Sequence, residues 1–112
     1  MPASNNTIKK LARNIKKNPD DSFSKFALAL EFLKQDNLKR AKILFEDVYK
    51  NDPEYVGVYY HLAKLYERLG KPRKAKKIYE EGLDVATAQG ELRTKKELNE
   101  ALTQLNVELE DE

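Results

Sequence analysis

The sequence has no cysteine and only one histidine, His61, in its 112 residues. Disulfides and thiolate chemistry are therefore excluded, and a metal site would have to be built from carboxylates alone. Adjacent acids such as Asp20-Asp21 and Glu80-Glu81 point apart on a helix or cap it, so they form no acid-base pair. No glycine-rich phosphate loop follows a strand, because no strand is apparent. We expect a non-enzymatic protein without cofactor or metal.

Long apolar runs are also missing. No stretch approaches the ~18 apolar residues that a membrane-spanning helix needs, and the residues after Met1 lack the apolar segment of a leader. The formal net charge is only +2 and the signs are interspersed, so no anionic partner is obligatory. We expect a soluble, cytoplasmic protein that does not bind membranes.

What is present favours helices. Alanine, glutamate, lysine, leucine and arginine make up roughly half of the chain, a composition typical of proteins that are helical throughout. The length suits one domain with one core. The composition therefore predicts an all-α domain spanning residues 1–112.

Large and small residues recur along the chain at a fixed interval of 34 positions. The recurring pairs are Leu28 and Leu62, Phe32 and Tyr66, Ala41 and Ala75, and Phe45 and Tyr79. Such a period is typical of stacked supersecondary units. The pattern resembles the tetratricopeptide repeat, a helix-turn-helix unit in which alternating large and small positions let paired helices pack closely.

The resemblance implies an all-α fold, a right-handed α-α superhelix of two helical hairpins with a flanking helix at each end. The expected segments are an N-terminal helix at 5–17, a first repeat at 22–55, a second repeat at 56–89, a capping helix at 91–109 and an acidic tail at 110–112. Repeats of this kind usually need about three neighbours to be stable. We therefore expect both flanking helices to contribute burial that the two repeats lack.

Turn and cap residues predict where the helices begin and end. Asp20 to Ser22 cap the next helix, and Asp36-Asn37 forms a turn in which Asn37 tolerates the left-handed backbone. Asp52-Pro53-Glu54 predicts the start of a helix. Gly70-Lys71-Pro72 ends one helix and starts another, which we expect to continue to Gly90.

In tetratricopeptide arrays the first helix of each repeat lines a concave groove. By that resemblance, partner-binding residues are expected at Phe23, Phe26, Leu30 and Leu33 in the first repeat and at Tyr60, His61, Lys64 and Arg68 in the second. The first-repeat residues would form an apolar wall of the groove, and the second-repeat residues would form a cationic wall. Such a groove suits an amphipathic helix or an extended peptide that bears acids. Two alternatives stay open: a flanking helix covers the apolar residues, or Lys64 and Arg68 are solvated surface charges.

One subset of the family binds chaperone C-termini through a clamp of lysine, asparagine and arginine side chains. The matching positions here are Phe26, Leu30, His61, Glu91 and Lys95, so the clamp is absent and chaperone-tail binding is not expected.

The leading hypothesis is a protein-interaction module, an adaptor or scaffold whose partner the sequence does not identify. Self-association through the groove or an uncapped end is the alternative. The acidic tail could also lie over the cationic wall. Nucleic-acid binding is less favoured; the basic residues that prompt it are Lys9, Lys10, Arg13, Lys16 and Lys17, with Lys71, Arg73, Lys74, Lys76 and Lys77.

Overall fold

A computed structural model of the protein describes residues 2–111, with side chains from residue 5 onward. The described residues form six α-helices and no strand. The helices are α1 (Pro2–Lys17), α2 (Ser22–Lys34), α3 (Leu38–Asn51), α4 (Gly57–Arg68), α5 (Pro72–Gln89) and α6 (Leu92–Glu110). The predicted all-α fold is confirmed.

The chain divides into two compact units after Tyr55. The first unit contains α1, α2 and α3, and the second contains α4, α5 and α6. The division coincides with the predicted boundary between the repeats. That residues 1–112 form a single domain stays a prediction.

In the first unit α2 packs against both α1 and α3. Ala29 on α2 and Ala41 on α3 have no exposed surface, and small side chains of this kind allow two helices to approach closely. Large apolar side chains fill the space around them: Leu28, Phe32, Phe45 and Val48. From residue 5 onward the apolar residues of α1 are half-buried or exposed, so this part of α1 covers α2 only partly.

In the second unit α5 packs against both α4 and α6. The alanines Ala63 and Ala75 are again fully buried, as the 34-residue interval predicts. Leu98, Ala101 and Leu105 place one apolar stripe of α6 in this core, with charged residues on the other faces. Helix α6 therefore closes this unit, with bounds one residue later than the 91–109 predicted from the sequence.

The cap of α2 is confirmed at Asp21. Its carboxylate accepts hydrogen bonds from the Ser24 hydroxyl at 2.6 Å and from the Ser24 backbone N–H at 3.0 Å. These two bonds hold the pKa of Asp21 below its usual value. The negative charge also suits the positive end of the helix dipole.

Both interhelical turns within the repeats have the same backbone geometry. Gly70 has a φ of 74° and Asp36 has a φ of 58°, so these two residues adopt the left-handed conformation. The amides that follow reach back to equivalent carbonyls, from Lys71 to Tyr66 at 2.9 Å and from Asn37 to Phe32 at 2.8 Å.

The prediction that Asn37 is the left-handed residue is wrong, because Asn37 has a φ of −90° and caps α3 instead. Its side-chain oxygen accepts a hydrogen bond from the Arg40 N–H at 3.3 Å. Aspartate also tolerates the left-handed conformation, and Asp36 occupies the position equivalent to Gly70.

The prediction that a helix begins at Asp52-Pro53-Glu54 is also wrong. Asp52 closes α3 by donating its N–H to the Val48 carbonyl at 2.8 Å. The Tyr55 N–H then bonds to the Asp52 carbonyl at 3.0 Å, which makes a turn. The residue before a proline is biased away from helical geometry, and Asp52 has a φ of −142°. Helix α4 therefore begins only at Gly57.

Candidate partner-binding surface

The predicted apolar residues lie along one side of α2. Phe23 is 66% exposed, whereas Phe26, Leu30 and Leu33 are half-buried. The ring of Phe26 lies 5.8 Å from that of Phe45 and 5.3 Å from that of Tyr55, measured between centroids. Phe26 therefore also stabilises its own unit, while Phe23 offers most of its ring to solvent.

A buried charge that no sequence pattern predicted lies on the same helix. Lys25 is 8% exposed, and its ammonium nitrogen is 3.0 Å from a carboxylate oxygen of Asp47 on α3. The Asp47 side chain is 36% exposed, so only the lysine side of the pair is buried. Removing Asp47 would leave the Lys25 charge buried and unpaired, which is destabilising. The pair therefore links α2 to α3 and occupies Lys25 within the unit.

The predicted residues of the second repeat come together on α4 around the ring of Tyr60. His61 lies edge-on to this ring at 5.5 Å, and the Lys64 nitrogen lies 5.7 Å from its centroid. A cation near an aromatic face is attracted by the ring quadrupole. Arg68 is exposed in the last turn of α4.

Glu67 moderates the positive charge of this surface. Its carboxylate is 3.8 Å from the Lys64 nitrogen and accepts a 2.5 Å hydrogen bond from the Tyr79 hydroxyl of α5. Burial, followed by this bond and the charge of Glu67, raises the pKa of Tyr79 far above its usual value. The repeat pattern includes Tyr79 but does not predict its contact with Glu67. The Lys64-Glu67 spacing, by contrast, is that of a helical ion pair.

His61 contributes its aromatic ring to this surface and little positive charge. Its burial lowers its pKa, and the negative charge of Glu97 on α6 opposes that shift only in part. Since histidine normally titrates near pH 6.5, His61 is mainly neutral at pH 7. The predicted cationic wall therefore consists of Lys64 and Arg68.

Neither a candidate metal site nor a candidate membrane-spanning helix is found among the described residues. Within the described part of the chain, no three His, Asp or Glu side chains are grouped so that they could hold a metal ion. None of the helices from α1 to α6 combines the length and apolar character needed to cross a membrane.

The buried alanines, the equivalent turns and the paired helices define a helical-repeat protein. The family model described as the tetratricopeptide repeat matches residues 32–98, which is more than half of the chain. The chain belongs to the tetratricopeptide repeat family. Repeats of this fold generally mediate protein-protein interactions and are typically non-enzymatic scaffolds.

Solved structures support the same conclusion. A tetratricopeptide repeat domain protein from Salinibacter ruber is 45% identical in its crystal structure, with a TM-score of 0.75, covering 77% of this chain and 97% of that one. A solution structure of the Salinibacter ruber domain gives 45% identity, a TM-score of 0.74, and coverage of 79% and 89%. A protein from Bordetella parapertussis shares the fold at 23% identity and a TM-score of 0.76, covering 90% and 88%. No curated protein matches the chain significantly.

Proposed function

We propose that this protein is a non-enzymatic interaction module that binds a peptide or helix of a partner protein on the exposed sides of α2 and α4. The observation that carries the proposal is the exposure of Phe23 beside three half-buried apolar side chains on α2. The fold generally mediates protein-protein interactions, which supports the same assignment.

The α2 residues are arranged as a docking stripe. Phe23, Phe26, Leu30 and Leu33 follow spacings of three and four, so they lie on one side of the helix. Aromatic side chains bury a large area at little entropic cost and often anchor interfaces. A partner that supplies apolar residues at helical spacing would cover Phe23 and complete the burial of its neighbours.

The α4 residues favour an acidic partner segment. Lys64 is held by Glu67 at 3.8 Å, which is long for an ion pair, and it is only partly buried. A partner carboxylate could take over this contact while Tyr79 retains its hydrogen bond to Glu67. Exposed ion pairs contribute at most about 1 kcal/mol, so this side would select among partners while the α2 stripe supplies most of the affinity.

A peptide library selected on the immobilised protein tests the proposal directly. We expect enriched peptides to combine apolar residues at helical spacing with acids. Phe23→Ala should weaken the binding of an enriched peptide about tenfold, measured by fluorescence polarisation, since a truncated interface anchor commonly costs more than 1 kcal/mol. The matched control is Ile43→Ala, which removes an aliphatic side chain that is 59% exposed on α3.

Lys64→Gln should weaken the binding of acid-bearing peptides mainly at low salt, because salt screens exposed charges.

Equal losses of affinity for Phe23→Ala and Ile43→Ala, or a library that yields no enriched sequence, would contradict the proposal. Phe23 is a better probe than Phe26 because truncation of Phe26 also removes ring contacts within the first unit.

A further inference from the structure

The two ends of the sequence carry opposite charge. Residues 1–19 contain five basic residues and no acid, and residues 97–112 contain six acids and no basic residue. The rest of the chain mixes both signs. The basic residues of α1 are separate from the α2 and α4 residues to which the proposed function is assigned, whereas Glu97 on α6 acts on the pKa of His61.

On α1 the basic side chains share the face that points away from the packed one. They are exposed and lie at helical spacings of one, three and four: Lys9, Lys10, Arg13, Lys16 and Lys17. The half-buried residues Ile8, Leu11 and Ile15 lie on the opposite side. Because no acid precedes Asp20, α1 cannot neutralise this face with its own residues.

On α6 an acidic stripe runs along an exposed side of the helix. Its members follow spacings of three and four, so they align along the helix: Glu97, Glu100, Gln104, Glu108 and Asp111 at its end. A shallow depression of about 390 Å³ lies beside the stripe, lined by Lys96, Asn99, Glu100, Thr103 and Gln104. Its lining combines the ammonium group of Lys96 with one carboxylate and with amide and hydroxyl oxygens, and these oxygens can accept hydrogen bonds from ammonium and guanidinium groups.

We infer that α1 of one copy docks on the acidic stripe of α6 of a second copy. Charge complementarity identifies the binding partner as a second copy. Each chain carries both the basic face of α1 and the acidic stripe of α6 that could bind it. An exposed apolar residue flanks each face, Ala12 on α1 and Val107 on α6, so the contact also covers apolar surface. The two faces differ, so one contact leaves the acidic stripe free on one copy and the basic face free on the other.

Such a contact is sensitive to salt and to concentration. Individual exposed ion pairs are weak and are screened over about 8 Å at physiological ionic strength. The association should therefore be weak near physiological salt and stronger below it. If the two remaining faces of a pair bind further copies instead of each other, the average mass should continue to rise with concentration beyond that of a dimer.

Sedimentation velocity of the full chain tests the inference at about 20 mM and about 500 mM salt, on either side of physiological screening. We expect the weight-average mass to at least double with concentration at low salt and to return to the monomer at high salt. Reversal of three α1 charges, Lys9→Glu, Lys10→Glu and Arg13→Glu, should abolish the increase. The matched control reverses two lysines and one arginine on another exposed basic segment, Lys71, Arg73 and Lys77, and should retain it.

Charge exchange distinguishes specific docking from a general effect of net charge. A variant with Glu100→Lys, Glu108→Lys and Asp111→Lys should be monomeric alone, and its mixture with the α1 variant should associate again. Circular dichroism verifies that each variant keeps its helicity. A monomeric wild type at low salt, an equal loss in the control, or an inert mixture would overturn the inference. The inference would also be overturned if monomeric wild-type protein retarded a single-stranded RNA and the α1 variant did not. That result would assign the basic face of α1 to nucleic acid.

Discussion

Gly82 lies where α5 packs closely against Tyr59 of α4 and Leu98 of α6. A Cβ atom there would lie 2.6 Å from Cβ and 3.0 Å from Cγ of Tyr59, and 3.2 Å from Cδ1 of Leu98. The first contact is with an atom next to the backbone, so the neighbour cannot simply rotate away. The first repeat has Val48 at the equivalent position, so the repeat interval alone did not identify Gly82 as critical.

Gly82→Ala should therefore destabilise the protein by about 1–3 kcal/mol, the usual cost of overpacking a core. Alanine normally stabilises a helix interior by about 0.5–1 kcal/mol relative to glycine, so a net loss requires the steric cost to exceed this gain. Urea denaturation gives the free energy of unfolding. Thr87→Ala, at an exposed position on the same helix, should change it by no more than about 0.5 kcal/mol. A more stable Gly82→Ala variant would show that α4 and α5 can separate without cost.

The Tyr79-Glu67 hydrogen bond connects α5 to α4. The pKa of Tyr79 is raised, first by burial and then by the bond to Glu67. Tyrosine in the unfolded chain loses its proton near pH 10, whereas folded Tyr79 retains its proton at that pH. The unfolded state then binds fewer protons than the folded state, so stability falls as pH rises above 10.

Tyr79→Phe should lower the free energy of unfolding by about 1.5–3 kcal/mol at pH 7, the typical net value of a hydrogen bond to a charged group. The difference from the wild type should narrow between pH 10 and pH 11, because phenylalanine has no proton to lose. Urea denaturation at pH 7 and pH 11 measures both effects. Glu67→Gln keeps an oxygen acceptor and should cost less than Tyr79→Phe at pH 7. A constant difference across this pH range would contradict the assigned role of Tyr79.

The flanking helices complete the cores of the two units. Leu98 and Leu105 of α6 are almost fully buried in the second unit, and burying one such side chain stabilises a protein by about 1.5–3 kcal/mol. Together they contribute roughly 3–6 kcal/mol, against a total of about 5–15 kcal/mol for a typical domain. The second unit therefore depends on α6. Helix α1 is only half-buried and contributes less to the first unit.

Removing residues 91–112 should abolish the cooperative thermal transition of the second unit, while removing residues 1–20 should lower the melting temperature without abolishing cooperativity. Circular dichroism melts of the two shortened chains and of residues 21–90 measure this difference. If residues 21–90 unfold as sharply as the whole chain and at the same temperature, the flanking helices are dispensable for folding.

Local chemistry was enough to predict the helices, the 34-residue repeat and most helix ends. Gly70-Lys71-Pro72 and Gly90 place the boundaries of α5 because glycine and proline restrict the backbone wherever they occur. The cap at Asp21 was predictable for the same reason. Buried Ala29, Ala41, Ala63 and Ala75 followed from the family resemblance.

Only the folded chain decided which predicted residues are accessible and what else contacts them. Phe23 and Phe26 read alike in the sequence, yet one ring is exposed and the other contacts Phe45 and Tyr55. Glu67 meets Tyr79 across two helices, so no local pattern could pair them. Helix propensity and periodicity act over a few residues, whereas burial and hydrogen bonding depend on neighbours that are distant in the sequence and close in space.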